Sequence, residues 1–135
     1  MSETLVDSNV ILDVLTEDPR WFKWSSAALD QQAERSTLVI NPLIYAEVSI
    51  RFNRIEDLDD ALPASTFRRD ALPFQAGFLA GKSFVKYRCA GGERRSPLPD
   101  FYIGAHAAIA GMTLLSRERS RYLTYFPSLQ LLSPS

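Results

Sequence analysis

Thr4-Leu5-Val6-Asp7-Ser8-Asn9-Val10-Ile11-Leu12-Asp13 is the stretch around which the rest of the chain is organised. Its first three residues form a short apolar run that predicts a strand, and Ser8 or Asn9 can cap a helix whose apolar residues follow at helical spacing. Asp7 therefore stands at the predicted carboxyl end of a strand. In an open α/β sheet this rim is where ligands bind, because strands stop there and helix N-termini point their N–H groups into the crevice. Asp7 is either a turn or capping residue or a functional acid, and the decapeptide alone leaves both open.

Length and composition predict one globular domain, residues 1–135. A chain of this length buries about two-thirds of its unfolded surface, and a hydrophobic content of 46% is typical of a folded protein. No apolar run approaches the ~18 residues that span a bilayer. The start, Met1-Ser2-Glu3, does not resemble a signal peptide, and Cys89 is the single cysteine, so no internal disulfide can form. These features predict a cytoplasmic protein without a membrane anchor.

The charges are divided unevenly along the chain. Residues 1–60 hold twelve acids and five bases, a net charge of −7, whereas residues 61–135 hold four acids and ten bases, a net charge of +6. Such asymmetry fits a polyanionic partner that meets one side of the molecule, and it equally fits ordinary solvated faces.

Short apolar runs alternate with helical patterns along the whole sequence. The predicted strands cover residues 4–6, 37–40, 112–115 and 129–132, and the predicted helices after the first cover 21–33, a segment starting at Asn41-Pro42, 56–62, 74–89 and 101–110. Residues 66–70 are predicted to be a brief edge segment or a loop. The alternation predicts a three-layer α/β/α sandwich with a mostly parallel sheet of about four short strands.

Three more acids are predicted at the rim that carries Asp7. Glu47 lies among apolar residues on a helix, where it is either a functional acid or a salt-bridge partner of Arg51. Asp100 opens the helix 101–110, which it can also cap, and Glu118 follows the strand 112–115. His106, in the middle of the helix 101–110, is predicted to be a buried, hydrogen-bonded core residue or a cap on another helix, with a ligand role as the alternative.

Clustered carboxylates repel one another unless a cation lies between them. Oxygen ligands without cysteine favour Mg²⁺ or Mn²⁺ over zinc. Such a site suits hydrolysis of phosphodiesters, because metal ions activate a water and neutralise charge on the phosphate.

Four segments in this order resemble the PIN-domain nucleases, and most closely the VapC-type toxins of bacterial toxin–antitoxin pairs. They are Val6-Asp7-Ser8-Asn9-Val10-Ile11-Leu12-Asp13, Asn41-Pro42 through Ala46-Glu47-Val48, Pro99-Asp100-Phe101-Tyr102-Ile103-Gly104-Ala105-His106-Ala107 and Leu114-Leu115-Ser116-Arg117-Glu118-Arg119. The resemblance covers almost the whole chain. It implies a Mg²⁺- or Mn²⁺-dependent endoribonuclease that acts on RNA, forms a homodimer and is inhibited by a cognate antitoxin protein.

The resemblance also implies roles for individual residues. Asp7, Glu47 and Asp100 would be the catalytic acids and metal ligands, and Glu118 would stand at the fourth acidic position, where the family usually has Asp. Ser8, Asn9 and Ser116 would support the site by hydrogen bonding. Five arginines are candidates for contacts with RNA phosphates: Arg94, Arg95, Arg117, Arg119 and Arg121.

Two other functions remain open at this stage. A non-catalytic PIN-like domain that binds RNA or acts as a scaffold would keep the fold and lose acids, yet Asp7, Glu47 and Asp100 are all present. An Asp-dependent phosphatase also begins with Asp after a strand, but it often has a second Asp two residues later, where this chain has Asn9.

Overall fold

A central sheet of five parallel strands organises the computed structural model, which describes residues 2–91 and 98–134. The strands are β1 (Ser2–Val6), β2 (Ser36–Ile40), β3 (Phe67–Arg69), β4 (Thr113–Leu115) and β5 (Leu131–Leu132), in the order β3-β2-β1-β4-β5. The predicted α/β/α architecture is confirmed. The strand count was low by one because β3 has three residues, of which only Phe67 is buried, and it therefore lacks a recognisable pattern.

Seven helices surround the sheet in the described part of the chain. They are α1 (Ser8–Leu15), α2 (Phe22–Arg35), α3 (Pro42–Ser49), α4 (Ile55–Ala61), α5 (Phe74–Cys89), α6 (Leu98–Ala110) and α7 (Ser120–Tyr125). No helix within residues 2–91 and 98–134 has both the length and the apolar character of a membrane span.

Helix starts were predicted correctly where the capping residue is unambiguous. Asn41 caps α3, accepting the N–H of Ile44 at 3.0 Å, and Pro42 occupies the first helical position. For α1 the predicted cap, Ser8 or Asn9, was wrong. Asp7 itself is the N-cap, with an extended backbone and a carboxylate that accepts the N–H of Ser8 at 2.8 Å.

The order of the strands creates a switch point between β1 and β4. The chain runs from β1 through β2 to β3 at one edge, then returns to β4 and β5 on the other side of β1. Right-handed crossovers therefore place α1 to α4 on one face of the sheet and α5 to α7 on the other. In agreement, α1 packs against α2 and α3, and α5 packs along α6. Ligand crevices in open parallel sheets lie at the carboxyl ends of strands beside such a switch point.

The core lies on both faces of the sheet and includes His106. The side chains of Leu5, Val39 and Leu114 are fully buried. His106 is 2% exposed, and its Nδ1 lies 3.0 Å from the side-chain nitrogen of Asn41. Burial lowers the pKa of His106, so its neutral ring accepts this hydrogen bond. The predicted core role of His106 is confirmed.

Candidate active site

Asp7 is held at the switch point by hydrogen bonds to both of its oxygens. Its Oδ1 accepts the N–H of Ser8 at 2.8 Å, while its Oδ2 accepts the hydroxyls of Ser116 at 2.8 Å and Tyr122 at 3.0 Å. Only 5% of Asp7 is exposed, and this burial raises the pKa of its carboxyl group, against the opposing effect of the hydrogen bonds. The backbone of β1 and β4 fixes this arrangement, because the N–H of Asp7 donates to the carbonyl of Leu115 at 2.9 Å.

Glu47 reaches the same crevice from α3. The hydroxyl of Ser8 donates to its Oε1 at 2.8 Å. Partial burial raises the pKa of Glu47, and the negative charges of Asp7 and Asp100 raise it further. No ion pair between Glu47 and Arg51 is present among the described residues.

Asp100 approaches from the first turn of α6. The helix begins at Leu98, so Asp100 lies within it and was wrongly predicted to stand at its start. Burial raises the pKa of Asp100 to about 6, with a further contribution from the charge of Asp7. The guanidinium of Arg121 opposes this shift, since its Nη1 lies 2.7 Å from Oδ2 of Asp100.

Glu118 stands beside these acids in the turn after β4. Its backbone N–H donates to Oγ of Ser116 at 3.0 Å, and its own Oε1 accepts the backbone N–H of Arg121 at 3.4 Å. Its negative charge contributes to the raised pKa values of Asp7 and Asp100. Glu118 is therefore close enough to affect the pKa values of Asp7 and Asp100. Its carboxylate also accepts a hydrogen bond from the first turn of α7.

Ser116 and Asn9 connect the strand ends that carry the site. Ser116 is completely buried and receives a hydrogen bond from the side-chain nitrogen of Asn9 at 3.2 Å. The side-chain oxygen of Asn9 accepts the N–H of Arg117 at 3.1 Å. These bonds tie α1 to the end of β4 and orient the hydroxyl that donates to Asp7.

Two further residues touch the acids: Arg121, which sequence reasoning named only as a candidate for phosphate contact, and Tyr122, which it missed. Tyr122 is 1% exposed, and burial, followed by the charge of Asp7, raises the pKa of its hydroxyl well above the ordinary value, so that it remains a donor. Both residues lie on α7, which has six residues and was not predicted. A tyrosine and an arginine shortly after Glu118 were the only signal available.

Most of the chain matches the model of a known protein family. The family model of the PIN domain matches residues 4–124 of the chain. The chain belongs to the PIN domain family. PIN domains are generally nucleases that use divalent metal ions, so the family indicates a hydrolase that acts on nucleic acid. No curated protein matches the chain.

Several solved structures contain a similar PIN domain fold. VapBC2 from Rickettsia felis, bound to a DNA fragment from its promoter, is 17% identical with a TM-score of 0.73, and the match covers 98% of each chain. FitAcB from Neisseria gonorrhoeae is 17% identical over 96% of each chain, also with a TM-score of 0.73. A toxin–antitoxin complex from Klebsiella pneumoniae is 18% identical over 98% of each chain, with a TM-score of 0.71. At these identities the likeness is one of fold.

Within this PIN domain the donor set suits a hard divalent cation. Asp7, Glu47 and Asp100 supply carboxylate oxygens, the ligands that such a cation prefers. Beyond the effect of burial, the charges of Asp7 and Asp100 raise the pKa of Glu47, and the charge of Asp7 raises that of Asp100. In residues 2–91 and 98–134, however, no three His, Cys, Asp or Glu side chains are grouped closely enough to hold a metal. The carboxylate of Asp100 instead pairs with Arg121. The residues fit a metal in chemistry, and a metal at Asp100 would compete with Arg121 for this carboxylate.

The arginines predicted to contact RNA phosphates, apart from Arg121, have different surroundings. Arg117 forms a two-pronged ion pair with buried Asp13, at 2.6 and 3.0 Å, and 29% of its side chain is exposed. Arg119 is exposed and donates to Oγ of Ser133 at 3.3 Å. Arg94 and Arg95 lie outside the described residues.

Proposed function

We propose that this chain is a Mg²⁺- or Mn²⁺-dependent endoribonuclease that hydrolyses phosphodiester bonds in RNA, with residues 1–135 as its single nuclease domain. The observation that supports this proposal is the electrostatic coupling of three carboxylates beside the switch point of an open parallel sheet: the charges of Asp7 and Asp100 act on Glu47, and that of Asp7 acts on Asp100. Membership of a family whose members are generally nucleases agrees with it.

The proposed catalytic residues are Asp7, Glu47, Asp100 and Glu118, of which the first three would hold the metal. A bound divalent ion would lower the pKa of an attacking water and neutralise charge on the phosphate. The chain itself contributes the negative charge that attracts the ion. Because the pKa of Asp100 is about 6, this carboxyl group is largely ionised at pH 7.5 even without metal.

The supporting residues keep these acids in position. Ser8 donates its hydroxyl to Glu47 and its backbone N–H to Asp7, so one residue orients two acids. Ser116, itself oriented by Asn9, holds the other oxygen of Asp7. Hydrogen bonds of this kind around metal ligands fix their orientation and tune the site.

We further propose that the protein is a cytoplasmic toxin that forms a homodimer and is inhibited by a cognate antitoxin protein. The proposal is supported by the fold shared with toxin–antitoxin structures over 96–98% of the chain. Production of the chain alone should then arrest growth of the host bacterium, and production with the antitoxin should relieve the arrest.

The decisive experiment measures cleavage of total cellular RNA by the purified protein with Mg²⁺, with Mn²⁺ and with EDTA, followed by mapping of the new ends. We expect metal-dependent cleavage by the wild type and a loss of at least about a hundredfold in Asp7→Asn, Glu47→Gln and Asp100→Asn, since each removes one anionic ligand without changing volume. Asp60→Asn, at an exposed acid on α4, is the control and should cleave normally.

Two results would contradict the proposed assignments. A variant of Asp7, Glu47 or Asp100 that retained wild-type, metal-dependent cleavage would remove that residue from the catalytic set. RNA binding without cleavage under any metal condition would favour a non-catalytic RNA-binding domain, the alternative suggested by the pairing of Asp100 with Arg121.

A further inference from the structure

Arg121 is a positive charge built into the acidic crevice. Its Nη1 lies 2.7 Å from Oδ2 of Asp100, and each of these two side chains is 24% exposed. The guanidinium carbon also lies 6.0 Å from the ring centroids of Tyr87 and Phe101. The backbone N–H of Arg121 is tied to Glu118, so the residue is anchored at both its backbone and its side chain.

The ion pair places Arg121 in competition with any cation that uses Asp100. A metal that coordinates Oδ2 of Asp100 would have to share this oxygen with the guanidinium or displace it, because both are cations that bind the same carboxylate. The displaced charge cannot move far, because α7 fixes its backbone and two aromatic rings flank its head group.

The guanidinium has hydrogen-bonding capacity that the fold leaves unused. Arginine carries five N–H donors in a planar fork, and in the described residues the hydrogen bond of this side chain to Asp100 uses only Nη1. A planar fork held against aromatic rings is suited to two-pronged binding of a phosphate. Arg117, by contrast, donates hydrogen bonds from two of its nitrogens to Asp13.

We propose that Arg121 binds the phosphate of the RNA bond being cleaved and that it shares Asp100 with the catalytic metal, so that the chain itself supplies one of the positive charges in the active site. This inference rests on the proposed nuclease function and adds a residue to it. It makes two separate predictions: Arg121 weakens metal binding in the absence of RNA, and it accelerates cleavage in its presence.

The test combines titration of Mn²⁺ into the RNA-free protein by calorimetry with the cleavage rate at saturating Mn²⁺. Arg121→Gln should bind Mn²⁺ about fivefold more tightly, the effect of removing one partly exposed ion pair, and should cleave RNA about a hundredfold more slowly. Arg121→Lys should bind Mn²⁺ like the wild type, because the charge remains, and should still cleave more slowly, because the fork is lost. Arg54→Gln, which removes an exposed pair with Glu56, is the matched control and should change neither quantity.

Several outcomes would overturn the proposal. Unchanged or weaker Mn²⁺ binding by Arg121→Gln would show that Arg121 does not compete for Asp100. Tighter Mn²⁺ binding with equal or faster cleavage would make Arg121 an inhibitory charge without a role at the phosphate. If Arg121→Gln does not fold, Arg121→Lys decides, and wild-type cleavage by that variant would contradict phosphate binding.

The same measurements separate this inference from the proposed function. A wild type that binds Mn²⁺ but cleaves no RNA would contradict the nuclease function and the phosphate role together. The Mn²⁺ affinities of the wild type and Arg121→Gln would still show whether the two cations compete.

Discussion

Asp7 caps a helix and also lies at the rim where the sequence predicts a functional acid. One carboxylate oxygen caps α1, and the other accepts two buried hydroxyls at the point where β1 meets β4. Capping holds the carboxylate of Asp7 at the start of α1, beside the crevice at the carboxyl end of β1. The hydrogen bond of the cap therefore also helps to position this acid. The two interpretations of Asp7 are therefore compatible, and capping alone is no argument against a catalytic role.

The pKa of Asp100 predicts how metal-free stability depends on pH. Burial raises this pKa from its ordinary value of 3.8 to about 6, so between these pH values the folded chain binds a proton that the unfolded chain has lost. The free energy of unfolding should therefore fall as pH rises from about 4 to above 6, by up to about 3 kcal/mol from this group.

Asp100→Asn removes this dependence. In EDTA we expect the variant to be more stable than the wild type by about 1–3 kcal/mol at pH 8 and equally stable at pH 4, as measured by denaturant unfolding. The stability difference between the control Asp60→Asn and the wild type should be the same at both pH values. If the difference between Asp100→Asn and the wild type were also the same at pH 4 and pH 8, the charge of Asp100 would not destabilise the folded protein.

At the scale of elements, the ion pair of Arg117 with Asp13 joins three segments. Asp13 lies on α1 and is 2% exposed, Arg117 follows β4, and the hydroxyl of Ser25 on α2 donates to the same carboxylate at 2.6 Å. The guanidinium also lies 5.2 Å from the ring centroid of Trp21. This cluster holds α1 against the end of β4, and the N-cap of α1 is Asp7.

Removing Arg117 should destabilise the protein through the charge that it leaves behind. Arg117→Gln leaves Asp13 buried without its cation, and we expect a loss of about 2–3 kcal/mol in the free energy of unfolding. Asp13→Asn in the same chain should recover part of this loss, so a double-mutant cycle should be clearly non-additive. Additive effects would mean that the two side chains contribute independently.

Sequence patterns identified most elements, left β3 open and missed α7, for physical reasons. Helix α5 has sixteen residues and α3 has a distinct Asn-Pro start, so periodicity and capping were sufficient. Strand β3 and helix α7 are too short for either signal, and they form because the sheet and α6 provide partners. Asp7 was predicted as a site residue from its position after a strand, Glu47 from its place among apolar residues on a helix, and Asp100 from its position at a predicted helix start. The pairing of Arg121 with Asp100, the bond of Tyr122 to Asp7 and the pairing of Arg117 with Asp13 join distant segments, and no local pattern encodes them.

For the whole molecule, the division of charge predicts how RNA binding responds to salt. Residues 61–135 carry a net charge of +6 and include Arg94 and Arg95, whereas residues 1–60 carry −7. If the basic part of the chain meets the RNA backbone, each phosphate contact releases counterions, and the logarithm of affinity falls linearly with the logarithm of salt concentration.

Neutralising Arg94 and Arg95 together should then flatten this slope by about 1.4, since each charge contributes roughly 0.7 for single-stranded RNA. The measurement is RNA affinity over a range of salt concentrations in EDTA, where cleavage is blocked. The control replaces Arg51 and Arg54 with glutamine, because it removes the same net charge from two exposed residues in the acidic part of the chain. Equal slopes for the two double variants would show that RNA responds only to net charge. A flatter slope for the variant without Arg94 and Arg95, and not for the control, would mean that these two residues contact the RNA backbone. Only charges that neutralise phosphates release counterions.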